Sequence, residues 1–586
     1  MAPELVVVAI AFVIAAAVMW RARRIEGGAP AGRAVALLVV SAAGAAALAG
    51  FVRPSPSPPP PSGIPPRSHE GGYASSDACR SCHPSEHASW SRTFHRTMTQ
   101  RAEPSAVRAP LPAAMELDGL TYEVAVEAGR VVAGRPGKKE PVLLTTGSHH
   151  YQAFWVAGER PGELALFPLV YVFREARWLA RRDVFLQPPG TSDAASGHGA
   201  RWNSNCLACH AVAGRPGHDE DTNVFRTREA ELGIACEACH GPGEAHAAAR
   251  RNPIARVSQN GTSDPTIVNP ARLGAERASA VCGQCHSFAY PRDEATWWSA
   301  GYATSFHPGD ALETSRFVLF PETLGEKGAP KIEAAEASLY WSDGTIRVGG
   351  REYNGLVRSP CFEHGDGDRK MSCLSCHSMH ASDPDDQLRT DRSTSATCLG
   401  CHAGRDAPAH VRHAAGSPAT QCESCHMPKT TYALLKSIRS HRIESPNVAT
   451  ALATGRPTAC NLCHLSRSLG WTAARLDEWY GTQSIAIPAD VRDVPVAAFL
   501  ALRGDAAMRA LVAAAMGEPD SRAASGAGWQ RGVLSVLRAD DYAAVRLIAE
   551  RSSASFPGTD DVELVDAETR KSLLARRDTR AITISE

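Results

Sequence analysis

The rhythm of apolar and polar positions changes five times along the 586 residues. Leu5–Trp20 and Ala34–Val52 are unbroken runs of 16 and 19 apolar or uncharged residues. As helices they would reach roughly 24 and 28 Å, close to the ~30 Å of a bilayer core, and so predict a two-helix membrane anchor over 1–52. The intervening loop carries Arg21, Arg23, Arg24 and Arg33 against Glu26 alone, which places the loop in the cytoplasm and both termini outside. A second expectation stands beside it: within 21–50, an Arg-rich start, an apolar run and Ala47-Leu48-Ala49 together have the form of a cleaved signal.

Residues 53–72 are a Pro-rich spacer that predicts extended polyproline II. From 106 to 190 the pattern alternates with period two. "LTYEVAVEAGRVVAG" predicts a hairpin about Ala128-Gly129, and "PVLLTT", "YQAFWV" and "LVYVF" predict further short strands of a small β-rich insert. The remainder of 73–466 shows little regular period and is rich in Gly, Pro and Ala. Residues 467–586 change character: "VPVAAFLALRGDAAMRALVAAAMG" and "GVLSVLRADDYAAVRLIAERS" place apolar residues at helical spacing, similar to the paired helices of HEAT-type solenoids or to a plain helical cap.

The middle of the chain is organised by cysteine instead. Cys-x-x-Cys-His occurs at Cys79/Cys82/His83, Cys206/Cys209/His210, Cys236/Cys239/His240, Cys282/Cys285/His286, Cys373/Cys376/His377, Cys398/Cys401/His402, Cys422/Cys425/His426 and Cys460/Cys463/His464. Independent placement of 17 Cys and 22 His predicts about 0.02 occurrences, against the eight present. Only Cys361 stands outside the pattern. Zinc sites pair Cys-x-x-Cys units with each other, and a redox dithiol appears once per domain. Neither needs a His after every second Cys. The pattern is the c-type haem attachment sequence: two thiols bind the porphyrin edge and the adjacent His ligates iron. Eight covalent haems are therefore expected, filling much of a core that the sparse secondary structure leaves open.

Charge adds an exclusion. Lys+Arg and Asp+Glu both number 62, which gives no support for a nucleic acid partner. Haem attachment and the cysteine density both point outside the cytoplasm, so the expected location is the bacterial inner membrane with the haem domain facing the periplasm.

Each iron needs a second ligand or an open site. Methionines number nine, so bis-histidine ligation and low potentials are expected. "GGYASSDACRSCHPSEHASWSRTFHRTM", "GIACEACHGPGEAH", "MSCLSCHSMH", "QCESCHMPKT" and "RSHRI" resemble the bacterial multihaem cytochromes c, a superfamily of tetrahaem carriers, pentahaem nitrite reductases and octahaem hydroxylamine oxidoreductases. That resemblance implies a mainly α and irregular haem-filled fold. It also implies distal ligands at His95, His246, His380, His413 and His441, then His149 and His150, then His364. His380 lies too near His377 in sequence to wrap behind the same porphyrin, so it should serve a neighbouring iron, and His246 after His240 likewise.

Two functions are open at this point. The first is a membrane-anchored periplasmic octahaem carrier, taking electrons from a quinol-oxidising complex or another cytochrome and passing them to an acceptor. The second is a multihaem oxidoreductase acting on a small nitrogen or sulfur compound at one open haem. Pentahaem nitrite reductases mark that iron with Cys-x-x-Cys-Lys; every motif here ends in His. Cys361 reads as a buried thiol, an iron ligand or a reactive group.

Overall fold

A computed structural model describes Trp20 and residues 63–191, 201–252, 264–323, 338–391, 393–483, 485–526, 528–556 and 562–584. The chain divides into two compact units, 1–62 and 63–586. Of the first only Trp20 is described, so everything below concerns the second.

Among the described residues no helix is long and apolar enough to cross a membrane. The longest helices run 12 residues, about 18 Å against the ~30 Å that a span must cover. The expectation of two N-terminal membrane helices in this fold is corrected accordingly. The runs that suggested them, 5–20 and 34–52, lie outside the described residues apart from Trp20.

Two antiparallel sheets occupy 99–180. Strands β2 (Ala113–Leu117), β3 (Leu120–Glu127), β4 (Arg130–Arg135) and β5 (Lys138–Pro141) form a meander in chain order. The β3–β4 register closes with Glu127 opposite Arg130, so the turn falls on Ala128-Gly129. Both turn residues have positive φ, 47° and 76°, the two-residue geometry that matches the twist of the flanking strands. The second sheet runs β1 (Thr99–Arg101), β6 (Leu144–Thr146), β7 (Tyr151–Ala157), β9 (Leu169–Val172), β10 (Arg177–Ala180), with β8 (Leu164–Leu166) also on β7.

Around the attachment motifs, regular structure shrinks to single turns such as Cys236–His240 and Cys422–His426. The exception is α1 (Ala275–His286), which carries the fourth motif at its C-terminal end, and the short α2 (Glu352–Leu356) packs beside it.

The C-terminal helices α3 (Val496–Arg503), α4 (Ala506–Gly517), α5 (Gln530–Leu537) and α6 (Ala543–Ser553) do not stand apart as a solenoid. Leu500, Val512, Leu534 and Ile548 share one buried cluster with Val170 and Val172 of β9, Tyr340, Val348 and Tyr432. The HEAT-like reading finds no support in this arrangement: α4 packs on the hairpin formed by Thr431–Ala433 and Lys436–Ile438, and the helices share their core with the haem-bearing region. One buried ion pair ties the tail inward and a second ties its helices to each other. Arg347 reaches Asp505 at 2.8 and 3.0 Å, and Arg509 reaches Asp540 at 2.6 and 3.0 Å, all four side chains being buried.

Candidate haem-binding site

Each attachment motif closes one helical turn. The amide of the motif His donates to the carbonyl of the first Cys in His83→Cys79 (2.9 Å), His377→Cys373 (3.0 Å), His402→Cys398 (2.9 Å) and His464→Cys460 (2.8 Å). On such a turn, residues i, i+3 and i+4 share a face, so both thiols and the imidazole of a motif are presented together.

Six motif histidines face a second imidazole. Ring centres are 6.3 Å apart in His83–His246 and His240–His380, 6.4 Å in His377–His441 and His286–His95, and 6.2 Å in His426–His410 and His464–His413. Two metal–imidazole bonds of about 2.0–2.1 Å, with each ring centre roughly 1.1 Å behind its nitrogen, give about 6.2–6.4 Å. The gap between the paired rings is thus the gap one six-coordinate iron fills. Most pairs cross between motifs: His246 follows the third motif and faces the first, His380 follows the fifth and faces the third, and His95 follows the first and faces the fourth. Burial holds His95 and His210 at about 4, so both are neutral imidazoles at pH 7, the form that ligates metal.

Of the distal ligands that the resemblance implied, His95, His246, His380, His413 and His441 each stand opposite a motif histidine. His149, His150 and His364 do not. His149 stacks on His150 at 3.8 Å and on Phe94 at 4.1 Å, with Asp385 at 2.6 Å, while Lys436 Nζ lies 3.0 Å from His150 Nε2. Burial, then the Lys436 charge, lowers His150 to about 3. His364 ends the helix Pro360–Glu363, which also carries Cys361, and burial pushes the Cys361 thiol up. His410 was missed in the sequence. The signal was present in "PAHVRH", where His410 and His413 sit three apart, yet each faces a different iron site.

The first five motifs open onto one continuous cavity of about 2990 Å³. That is about three times the upper range of a small-ligand pocket, and suits several large flat groups. Its wall also carries buried cations. Buried Arg181 and Arg316 and half-buried Arg351 line it, and none forms an ion pair with a carboxylate among the described residues. Buried guanidinium groups call for anionic partners, which the propionates of bound haem supply. The residues present therefore fit c-type haem.

Neighbouring motifs touch. The turn that carries Cys79 of the first packs on that of Cys236 of the third, and α1 with Cys282 of the fourth packs on the turn that begins at Cys373 of the fifth. Cys209 of the second and Cys285 of the fourth exchange thiol–carbonyl contacts at 3.9 and 3.8 Å. Gln284 Nε2 of the fourth donates to Ala238 of the third at 2.8 Å, Thr397 beside the sixth reaches Ser375 of the fifth at 3.5 Å, and the Cys422 amide of the seventh donates to Ser395 beside the sixth at 3.0 Å. The turns Cys422–His426 and Ala459–Cys463 pack together, joining the seventh to the eighth. The motifs thus form a continuous line, 1–3–4–5–6–7–8, with the second attached at the fourth.

Comparison with known proteins agrees with these features. Residues 364–407 match the doubled CXXCH motif family, and residues 190–241 match the family of cytochrome c554 and c-prime. The multihaem cytochrome MtrA of Shewanella baltica (strain OS185) is 22% identical over 229 residues, covering 38% of this chain. The match spans 59% of that relative's own length. The crystal structure of the outer cell wall cytochrome OcwA aligns over 83% of this chain and 99% of that one, at 19% identity and a TM-score of 0.49. Repeated attachment motifs carried on short helical turns, with matches to two haem-protein families over parts of the chain, make the protein similar to the bacterial multihaem c-type cytochromes.

Proposed function

We propose that this protein is an octahaem electron carrier working outside the cytoplasm, with one covalent haem at each attachment motif. Six of the irons are six-coordinate with two histidines: His83/His246, His240/His380, His286/His95, His377/His441, His426/His410 and His464/His413. Electrons from one redox partner protein pass along the line of motifs to another. The observation that carries this reading is the set of six imidazole pairs at 6.2–6.4 Å. An iron closed by two imidazoles exchanges electrons and has no vacant position for substrate. When bound, haem would supply the one-electron couple; the paired histidines would ligate its iron, burial keeps His95 neutral, and Arg181 and Arg316 would offset the propionates. Location outside the cytoplasm rests on sixteen motif cysteines that a reducing cytosol would leave unprocessed. EPR of the oxidised protein tests the reading. Low-spin signals integrating to at least six haems are expected, and a majority of high-spin iron would overturn it.

A second reading, an oxidoreductase of small nitrogen or sulfur compounds, is favoured by one observation. Among the described residues, His210 and His402 have no imidazole at the iron-spanning distance. Carbon monoxide binding to the reduced protein separates the two. The carrier predicts no stoichiometric fast binding, whereas an oxidoreductase binds one equivalent and turns over nitrite or hydroxylamine at that iron.

A further inference from the structure

Where the imidazoles of the six pairs donate a second hydrogen bond, the acceptor is most often a neutral carbonyl. The Nδ1–H of His240 donates to Val268 at 2.7 Å, of His377 to Asp386 at 2.9 Å, of His426 to Glu444 at 3.1 Å and of His413 to Val411 at 2.7 Å, each time to the main-chain oxygen. Two rings are backed by carboxylates instead: His246 by Asp264 and His286 by Glu352, both at 2.9 Å.

These two carboxylates are not equivalent. The same Asp264 oxygen also accepts from Arg250 Nε at 3.0 Å and Nη2 at 2.7 Å, so a guanidinium offsets its charge. Glu352 has no such cation among the described residues; its other oxygen takes the Gly350 amide at 2.8 Å. Glu352 opens α2 and points at the His286 end of α1, a position set by two elements and not by a mobile loop. The pair it backs is also distinct in orientation. The His286 and His95 planes cross at 85°, while the other five pairs lie within 26° of parallel. Finally, the fourth motif touches the second, third and fifth, and the contacts of the second described above run to the fourth alone.

We infer that Glu352 is a positioning residue that sets the fourth haem apart, holding its Fe(III)/Fe(II) couple below those of the other paired irons at the junction of the relay. The inference rests on the bis-histidine reading proposed above. A carboxylate accepting the Nδ1–H makes the imidazole a stronger donor to ferric iron, and a negative charge in a dry interior stabilises Fe(III) over Fe(II). The step concerned is one electron moving from a neighbouring ferrous haem to this ferric one, with no bond made or broken and no proton released. An electron does not rest at such a junction. It crosses between the third and fifth haems, and reaches the second only when the main line is filled. Near-perpendicular imidazoles also bring the two highest filled iron d-orbitals close in energy, which gives this haem a more anisotropic low-spin EPR signal than the near-parallel pairs.

The test uses the full-length holoprotein, with haem count, redox titration and EPR as readouts. Glu352→Gln keeps the size and an acceptor oxygen while removing the charge. It should shift one couple to more positive potential with the haem count unchanged, and Glu352→Asp should restore part of the shift. Asp264→Asn should produce a smaller shift, because Arg250 already offsets that carboxylate. Unchanged couples in Glu352→Gln, or an equal or larger shift in Asp264→Asn, would overturn the inference. His95→Ala tells this failure from a failure of the ligand reading. It should create one high-spin signal; without that signal the fourth haem is not bis-histidine and both readings fall there.

Discussion

At the scale of single residues, the molecule holds ionisable groups in places where their ordinary charge is costly. Glu229 is buried at 2% exposure with Oε2 unpartnered among the described residues, and burial pushes its carboxyl from 4.5 up to about 7, with Arg67 pulling the other way. The raised value means the folded state favours the protonated acid. Its contribution to stability is fully present below pH 4.5 and is lost as pH rises through about 7. The difference corresponds to about 3 kcal/mol. Glu229→Gln should therefore raise the melting temperature at pH 8 and leave it almost unchanged at pH 4.5, flattening the profile between. A wild-type profile that already shows no fall over that window would remove the basis for this expectation. The histidines carry a contrast of the same kind. His380 faces His240 at 6.3 Å, whereas His149 is occupied by Asp385, His150 and Phe94. His380→Ala should add one high-spin EPR signal and one carbon monoxide site, while His149→Ala should add neither.

At the scale of elements, legibility followed the range of the interaction. The attachment turns were readable because thiols and imidazole lie within five consecutive residues, and the β3–β4 turn because Ala128-Gly129 is a local backbone requirement. The crossed pairs were harder: sequence alone does not bring His246 to His83, or His410 to His426 in place of a nearer iron. His149 and His150 looked equally suitable as ligands, and only tertiary packing turns them towards Asp385 and Lys436. The C-terminal helices show the same limit. Their apolar spacing was plain, but the surface α4 packs on, the hairpin that carries Tyr432, is not signalled by it. What fixes α4 there is Asp505, which caps the helix by accepting the Met508 amide at 2.9 Å and also pairs with buried Arg347. Asp505→Ala removes the cap and strands a buried guanidinium. A loss of about 3–5 kcal/mol is expected from the broken pair, and thermal or denaturant unfolding followed by circular dichroism would measure it. A loss below 1 kcal/mol would mean that the tail is held by apolar packing alone.

At the scale of the whole molecule, two kinds of environment hold the haem sites. The first five motifs share one cavity, so the porphyrins there are the missing part of a common core. The cysteines and histidines of the last three are not part of its wall, Cys401 is exposed, and short turns would hold their haems. A core built around cofactors has a consequence for assembly. Each pair that crosses between motifs makes one haem's ligation depend on the segment that carries another, so partial loading leaves neighbours without their second imidazole. The six crossed and local pairs, together with eight motifs that are intact in sequence, therefore predict full occupancy in mature protein. Intact mass under denaturing conditions should exceed the 62.3 kDa chain by roughly 4.9 kDa, at about 616 Da for each covalent haem. Allowance for any processing at the N-terminus comes from sequencing the same sample. Mass alone could be matched by a mixture, so iron and pyridine haemochrome content should give the same number. A reproducible value of seven or fewer in well-matured material would show that one motif is left unloaded. The exposed sixth site, where His402 faces no described imidazole, is the first place to look for it.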